Sequence, residues 1–300
     1  PGAAFLARSL ARWLRALSIR LLYRRPWYVL VRPRGDDPLA SWEGDAGLVR
    51  WEPGHLYADP ILFEHEGRHH LFCEHMPPGA PRAAISHTEL RDDRPAAAPV
   101  PVLTADCHLS YPFVFEYGGE VFLVPETSAA RRLELHRAVD FPHSWELDTV
   151  LMDDVDVSDA TLTRHDGRWW MFATIAGPGA SRLDELHVFH AADPRGPWTA
   201  HRLNPVVSDV RCARPAGPIL REDGGLVRPA QDGSRRYGGA VSFRRIDVLT
   251  AEDYAEHELR RLEPSMVPGA RATHAYSRDS RFEAIDARRR EPRLSPRRRR

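Results

Sequence analysis

A hairpin-like unit with fixed internal spacing recurs four times along the chain. Asp59 opens the run DPILF, with Gly67 eight positions on and Glu74 seven beyond that. Tyr111 opens YPFVF, with Gly119 and Glu126 at the same two offsets. Asp159 opens DATLT, with Gly167 and Thr174, and Gly217 opens GPILR, with Gly225 and Asp232. The four starting points lie 52, 48 and 58 residues apart. A period near 50 suits the four-stranded blade of a β-propeller, in which each unit covers the apolar faces of its neighbours. A β-sandwich with chance repeats is the competing architecture.

The rest of each unit agrees with a blade. A third strand is expected at 84–90, 133–138, 186–191 and 240–246. A fourth is introduced by Phe141 to Trp145 in the second copy and by Arg195 to Trp198 in the third. Runs such as 121–124 and 169–173 are apolar on both faces, as strands covered on two sides must be. A fifth copy is degenerate: His274 lies 57 positions after Gly217, and 281–286 supplies a second strand. Too little chain follows to finish it. Residues 28–31 or 48–51 are therefore expected to return as its missing strand and close the ring, which removes exposed sheet edges. The fold expected is all-β, a five-bladed β-propeller over 28–287.

Two arms flank that domain. Residues 4–23 have helical spacing, with Leu6, Leu10, Trp13, Leu14, Leu17 and Leu21 on one face and arginines mostly elsewhere. A basic amphipathic helix within 1–27 can lie in a membrane interface, or it can pack as an arm on the domain or a partner. Residues 288–300 form an arginine run with no apolar period, expected to be disordered. No stretch is long and apolar enough to span a bilayer as a helix.

Composition adds exclusions. The chain has zero formal net charge, so nucleic acid is not expected. Its basic residues are all arginine, the mark of a GC-rich coding bias, so arginine content alone carries no functional weight. The three cysteines, Cys73, Cys107 and Cys212, make neither a disulfide framework nor a zinc pattern. No metal and no cofactor is expected.

The repeat locates the chemistry. In a hairpin turning near Gly67, residues 59 and 74 are equidistant from the turn and face each other at its open end. The same reasoning pairs Tyr111 with Glu126, Asp159 with Thr174, and Gly217 with Asp232. The open ends of the inner strands ring one mouth of the channel. That mouth should gather Asp59, Glu74, Glu126, Asp159 and Asp232 with Tyr111 and His274. Crowded, partly desolvated carboxylates raise at least one pKa, the condition for an acid beside a base. The structural alternative is that some of them pin strand ends to backbone amides or arginines. Arg228, Gln231 and Asp232 form a polar segment where a buried strand should be apolar, and Tyr237 follows it. Trp169 and Trp170 are expected in the core, because adjacent strand residues point to opposite faces. His69 and His70, near a turn, are expected to face solvent.

Taken together, residues 57–60 (YADP), 72–74 (FCE), 124–127 (VPET), 158–160 (SDA), 228–232 (RPAQD), Tyr237-Gly238 and Thr273-His274 carry a resemblance. The chain resembles the N-terminal propeller domain of the glucosamine inositolphosphorylceramide transferases and their bacterial relatives, over roughly residues 45–286. More distantly it is similar to arabinanase- and fructosidase-type propeller glycoside hydrolases. That resemblance implies glycoconjugate or surface-glycan assembly. It also implies a first-blade base or nucleophile at Asp59 and an acidic group at Asp159. At the second-blade position Tyr111 stands where those hydrolases carry an acid, a departure from simple hydrolase chemistry.

Two functions follow. One is glycosyl transfer or hydrolysis at a glycosidic bond, with Asp59, Glu126 and Asp159 catalytic and Glu74, Tyr111, Arg228, Gln231, Asp232 and His274 binding substrate. In the other, a non-catalytic glycan- or glycolipid-binding module serves a partner glycosyltransferase. The expected setting is cytoplasmic, peripheral at the inner face of the membrane through residues 4–23.

Overall fold

The computed structural model of the chain describes Ser9 and residues 22–24, 26–35, 37, 39–40, 42, 52–92 and 94–292. Most of the arm at 4–23, the alternative strand at 48–51 and the tail beyond 292 lie outside these residues. The fold is a five-bladed β-propeller. The first blade runs Leu56–His65, Arg68–Met76 and Ala84–Arg91, with edge pieces Arg94–Pro95 and Val100–Leu103. The second is Ser110–Tyr117, Glu120–Glu126, Arg132–Asp140 and Ser144–Asp153. The third is Asp156–His165, Arg168–Ala176 and Glu185–Ala191, edged by Thr199–Ala200 and Val207–Ser208. The fourth is Leu220–Glu222, Gly225–Asp232, Ala240–Leu249 and Tyr254–Leu262.

The fifth sheet has three strands. Phe282–Arg288 lies between Tyr276–Arg278 and Trp27–Pro33, the last paired over its whole length from Trp27 opposite Arg288 to Pro33 opposite Phe282. Farther out, Tyr23–Arg24 pairs with Glu291–Pro292. These two short strands occupy positions where helical arm and unstructured tail were expected.

The core is divided among the spaces between blades, which explains strands that are apolar on both faces. Trp169, Met171 and Ala173 pack toward the second blade with Phe113, Phe122 and Val124. Trp170 and Phe172, on the opposite face of the same strand, pack toward the fourth with Leu226 and Ile246. Between fifth and first blades, Val29, Val31 and Phe282 meet Leu62 and Leu71.

The inner hairpins turn through two residues of positive φ, Glu66-Gly67, Gly118-Gly119, Asp166-Gly167 and Asp223-Gly224. That backbone matches the strand twist and favours glycine at the second place. In the fourth blade the turn falls one residue earlier than the offset to Gly225 predicts. His70 also departs from expectation: it is buried, bonded to His87 at 2.9 Å and packed edge-on to Phe141.

Candidate functional site

The residues expected to face each other at the open ends are displaced by one position. Glu74, Glu126 and Thr174 lie opposite Ala58, Ser110 and Ser158, not opposite Asp59, Tyr111 and Asp159. A β-bulge follows in each strand, and its first residue is left-handed: Asp59 at φ 50°, Tyr111 at 44° and Asp159 at 54°. A bulge re-aims a side chain, and here it occurs at the same repeat position in three blades. An aspartate tolerates that backbone; an aromatic residue there is strained. In the fourth blade Gly217 stands at φ 144°, and a Cβ on it would lie 1.8 Å from the Tyr276 carbonyl oxygen of the fifth blade. Only glycine fits.

The re-aimed groups staple neighbouring blades. The Asp59 N–H donates to Asp286 of the fifth blade at 3.2 Å, the Tyr111 N–H to Asp59 at 3.2 Å, and the Asp159 N–H to Glu126 at 3.2 Å. The Tyr111 hydroxyl is buried against Thr161 Oγ1 at 2.6 Å, so this side chain supports the wall.

Asp159 is held on two sides. Arg214 grips it through Nε at 2.6 Å and Nη2 at 3.2 Å, and Gln231 Nε2 donates to it at 2.8 Å. Arg214 Nη2 also reaches Glu126 at 3.4 Å. Burial first, then the neighbouring Asp159 charge, push the Glu126 carboxyl up to about 7, with Arg214 opposing.

A second cluster centres on His274. Its Nδ1 meets Asp286, and its Nε2 lies 3.6 Å from Asp59 Oδ1. Asp286 also accepts the backbone N–H groups of His274 at 2.9 Å and Ala275 at 3.1 Å. Burial favours the neutral imidazole, but Asp286 and Asp59 outweigh it and raise His274 to about 9. Asp59 is raised well above the carboxylate range by burial, partly offset by His274. Trp27 stacks on the imidazole at 4.2 Å, and Tyr237, 39% exposed, meets it edge-on at 4.8 Å. Trp27 is buried beneath these contacts, so of the two rings Tyr237 is the one that presents an accessible surface beside the charged floor, against which the apolar face of a sugar can pack. Ligand atoms of Asp59, His274 and Asp286 lie within 4.8 Å of one another, so this set could also hold a cation.

Of the expected residues, the structure brings Asp59, Glu126, Asp159, Gln231 and His274 together. Glu74 lies close enough to raise Asp59 and is bonded by His108 at 3.1 Å. Two others lie elsewhere. Arg228 is fully buried and bidentate on Glu256 at 2.7 and 3.0 Å, a structural ion pair. Asp232 caps a turn at Ser234 and pairs with Arg261.

Sequence reasoning missed Arg214, His108, Trp27 and Asp286. Arg214 and His108 carried a signal: each stands three residues before its blade's bulge position, Gly217 or Tyr111. Asp286 is the carboxylate of the second strand in the fifth hairpin, as Glu74 and Glu126 are in the first two. Its shorter hairpin hides the offset.

Residues 48–288 match the family described as glucosamine inositolphosphorylceramide transferase 1, N-terminal. The transferase of that name from Arabidopsis thaliana is 33% identical over 211 residues, covering 69% of this chain and 28% of the relative. The one from Oryza sativa subsp. japonica is 34% identical over 208 residues, covering 68% and 28%. The chain thus spans little more than a quarter of the length of these relatives. Among solved structures, a family 117 glycoside hydrolase of the marine bacterium Zobellia galactanivorans aligns over 87% of this chain and 90% of its own, at TM-score 0.56 and 11% identity. The catalytic domain of the GH62 alpha-L-arabinofuranosidase of Coprinopsis cinerea aligns over 86% and 97%, at TM-score 0.54 and 13% identity. At such identities these two show the fold alone. The sequence match over most of the propeller shows more: the chain belongs to the family of the N-terminal region of glucosamine inositolphosphorylceramide transferase 1.

Proposed function

We propose that the funnel acts on a glycosidic bond, by glycosyl transfer or hydrolysis, in glycoconjugate assembly. The observation that carries this reading is Glu126, a partly accessible carboxyl raised to about 7 beside an Asp159 fixed by Arg214 and Gln231. Such a group is protonated often enough at neutral pH to donate to a leaving oxygen and is acidic enough to do so readily. Asp59 serves as base or nucleophile in its ionised form; the His274 cation, oriented by Asp286, favours that form against the burial that raises the carboxyl. Asp159 stabilises positive charge developing on the sugar. The names of the transferase relatives support a sugar attached to a phosphoryl glycolipid as the substrate class.

A second reading has its own observation. Arg214 grips both Asp159 and Glu126, which suits a rigid binding floor serving a partner glycosyltransferase. Asp59→Asn separates the two. Catalysis predicts loss of turnover with ligand affinity kept within about threefold, because Asn preserves shape but cannot act as base or nucleophile. Full turnover in the variant would remove the mechanism.

The reading extends to assembly and setting. Trp27–Pro33 is the strand that closes the ring. Residues 4–23 form the basic arm that brings the propeller to the inner face of the membrane. Salt-sensitive binding to anionic vesicles, lost when residues 4–23 are removed, is the expected result for that arm.

A further inference from the structure

The loop that carries Tyr237 also borders a cavity of its own. Residues 233–239 join two strands of the fourth blade, whose ends Asp232 and Ala240 lie directly opposite. Bonds at both ends hold the loop. Asp232 accepts the Ser234 N–H at 2.8 Å and the Ser234 hydroxyl at 2.6 Å, and the Gly239 N–H donates to the Asp232 carbonyl at 3.0 Å. The Thr273 N–H donates to the Gly238 carbonyl at 3.1 Å. Gly238 stands at φ 72°, and a Cβ there would lie 2.8 Å from the Trp27 ring. The loop thus sets Tyr237 against His274. It also borders a cavity of about 360 Å³ that Tyr237 does not line, whose charged lining is Arg211, Asp232, Arg235, Arg236, Arg261 and Glu263.

Part of that lining is satisfied within the protein. Arg211 meets Asp209 through Nε at 2.9 Å and Nη2 at 2.6 Å. Arg261 pairs with Asp232 and, at 2.9 Å, with Glu258. Asp232 has one oxygen on Arg261 and the other on Ser234, so it has little left to offer a ligand. What remains is Arg235 and Arg236 against Glu263. All three are exposed, and among the described residues none has a side-chain ion pair or hydrogen bond. Two adjacent cations repel, and an oxyanion that accepts from both turns the repulsion into binding. The planar fork of arginine matches oxyanion oxygens in pairs. One fork satisfies a carboxylate; two forks suit a dianion with three free oxygens, which is a phosphoryl group. A concave wall strengthens the attraction over that of an open surface.

We propose that this cavity binds a phosphoryl group through Arg235 and Arg236, at a site separate from the carboxylates of the funnel. The test is calorimetric titration with inorganic phosphate at low salt, on the wild type, Arg235→Gln, Arg235→Gln/Arg236→Gln and Glu263→Gln. The three side chains are exposed, and circular dichroism checks that each variant folds. Saturable binding is expected, at least threefold weaker in Arg235→Gln and at least tenfold weaker in the double variant. Glu263→Gln removes the one unpaired carboxylate and should tighten binding at least twofold. Arg236 also lines a neighbouring cleft that Arg235 does not, so the single variant assigns the binding to this cavity. No saturable binding, equal binding in the wild type and Arg235→Gln, or binding not tightened in Glu263→Gln would overturn the proposal. Phosphatidylglycerol vesicles separate the sources of the group: vesicle binding that also depends on Arg235 marks a lipid headgroup, and phosphate binding without it marks a free phosphorylated ligand. Vesicle binding with no binding of free phosphate would overturn the site. No turnover is read, so a failure of the funnel reading leaves this result standing.

Discussion

Glu126 shows how a residue's chemistry depends on neighbours far away in the chain. In isolation it is an ordinary surface carboxylate; burial and the Asp159 charge raise it to about 7. If it donates the proton, turnover requires its protonated form, so activity should fall as pH rises through about 7. Glu126→Gln should lose that limb and at least about 100-fold in rate, the usual contribution of a positioned acid. A pH–rate profile of both proteins decides it, and an alkaline limb that persists in Glu126→Gln would reassign the acid. Histidines titrate by the same logic with opposite outcomes. Burial lowers His70 to about 4 and His87 to about 3, whereas His274 is raised to about 9. A lowered histidine contributes stability above its unfolded pKa near 6.5 and loses it as pH falls toward the folded value. The raised His274 contributes below 6.5 and loses that contribution as pH rises through about 9. Urea unfolding should therefore show the His70–His87 pair costing about 3–4 kcal/mol on going from pH 7 to pH 5. His70→Gln/His87→Gln should lack this part of the change, and an equal loss in that variant would refute the assignment.

Strands and turns account for glycines in two different ways. Gly67 has open space around its Cβ position, so its cost on substitution is backbone strain alone, about 1 kcal/mol for Gly67→Ala. Gly217 is closed off by the Tyr276 carbonyl oxygen, and Gly217→Ala must displace the fifth blade against the fourth. Its penalty should be at least twice that of Gly67→Ala in equilibrium urea unfolding. Equal penalties would mean that the close approach between blades does not exist in solution. The same contact explains why the fourth blade contributes no carboxylate at the bulge position and sends Gln231 and Arg214 to the site instead.

At the scale of the ring, the fifth blade depends on chain from both ends of the propeller. Arg32 of the N-terminal strand forms a buried pair with Glu283 at 2.6 Å, and Glu283 also accepts from the Tyr276 hydroxyl at 2.9 Å. If this strand closes the ring, a chain lacking residues 1–33 exposes the edge of Phe282–Arg288 and uncovers Val227, Phe243 and Leu62. Loss of a cooperative thermal transition, or aggregation, is expected. A cooperative melt with the wild-type midpoint would show that the ring closes without it.

What could be read from sequence alone was periodic and local. The spacing from Asp59 to Gly67 to Glu74 and its copies gave the hairpins, the blade period and the apolar faces, because turn chemistry and strand alternation act over a few residues. Asp59, Glu126, Asp159 and His274 were legible as candidates because they repeat. Tertiary structure decided what periodicity cannot carry. A bulge shifts each expected pairing by one residue, and a single inserted residue leaves no trace in hairpin spacing. Arg228 and Gln231 stand three residues apart in one polar segment, yet one serves Glu256 and the other Asp159. Arg214, Asp286 and Trp27 come from a linker, a shortened hairpin and the far end of the propeller. They meet at one site because Trp27–Pro33 pairs with Phe282–Arg288, which brings strands from the two ends of the propeller together, and the raised pKa values of Glu126 and His274 are products of such long-range contacts.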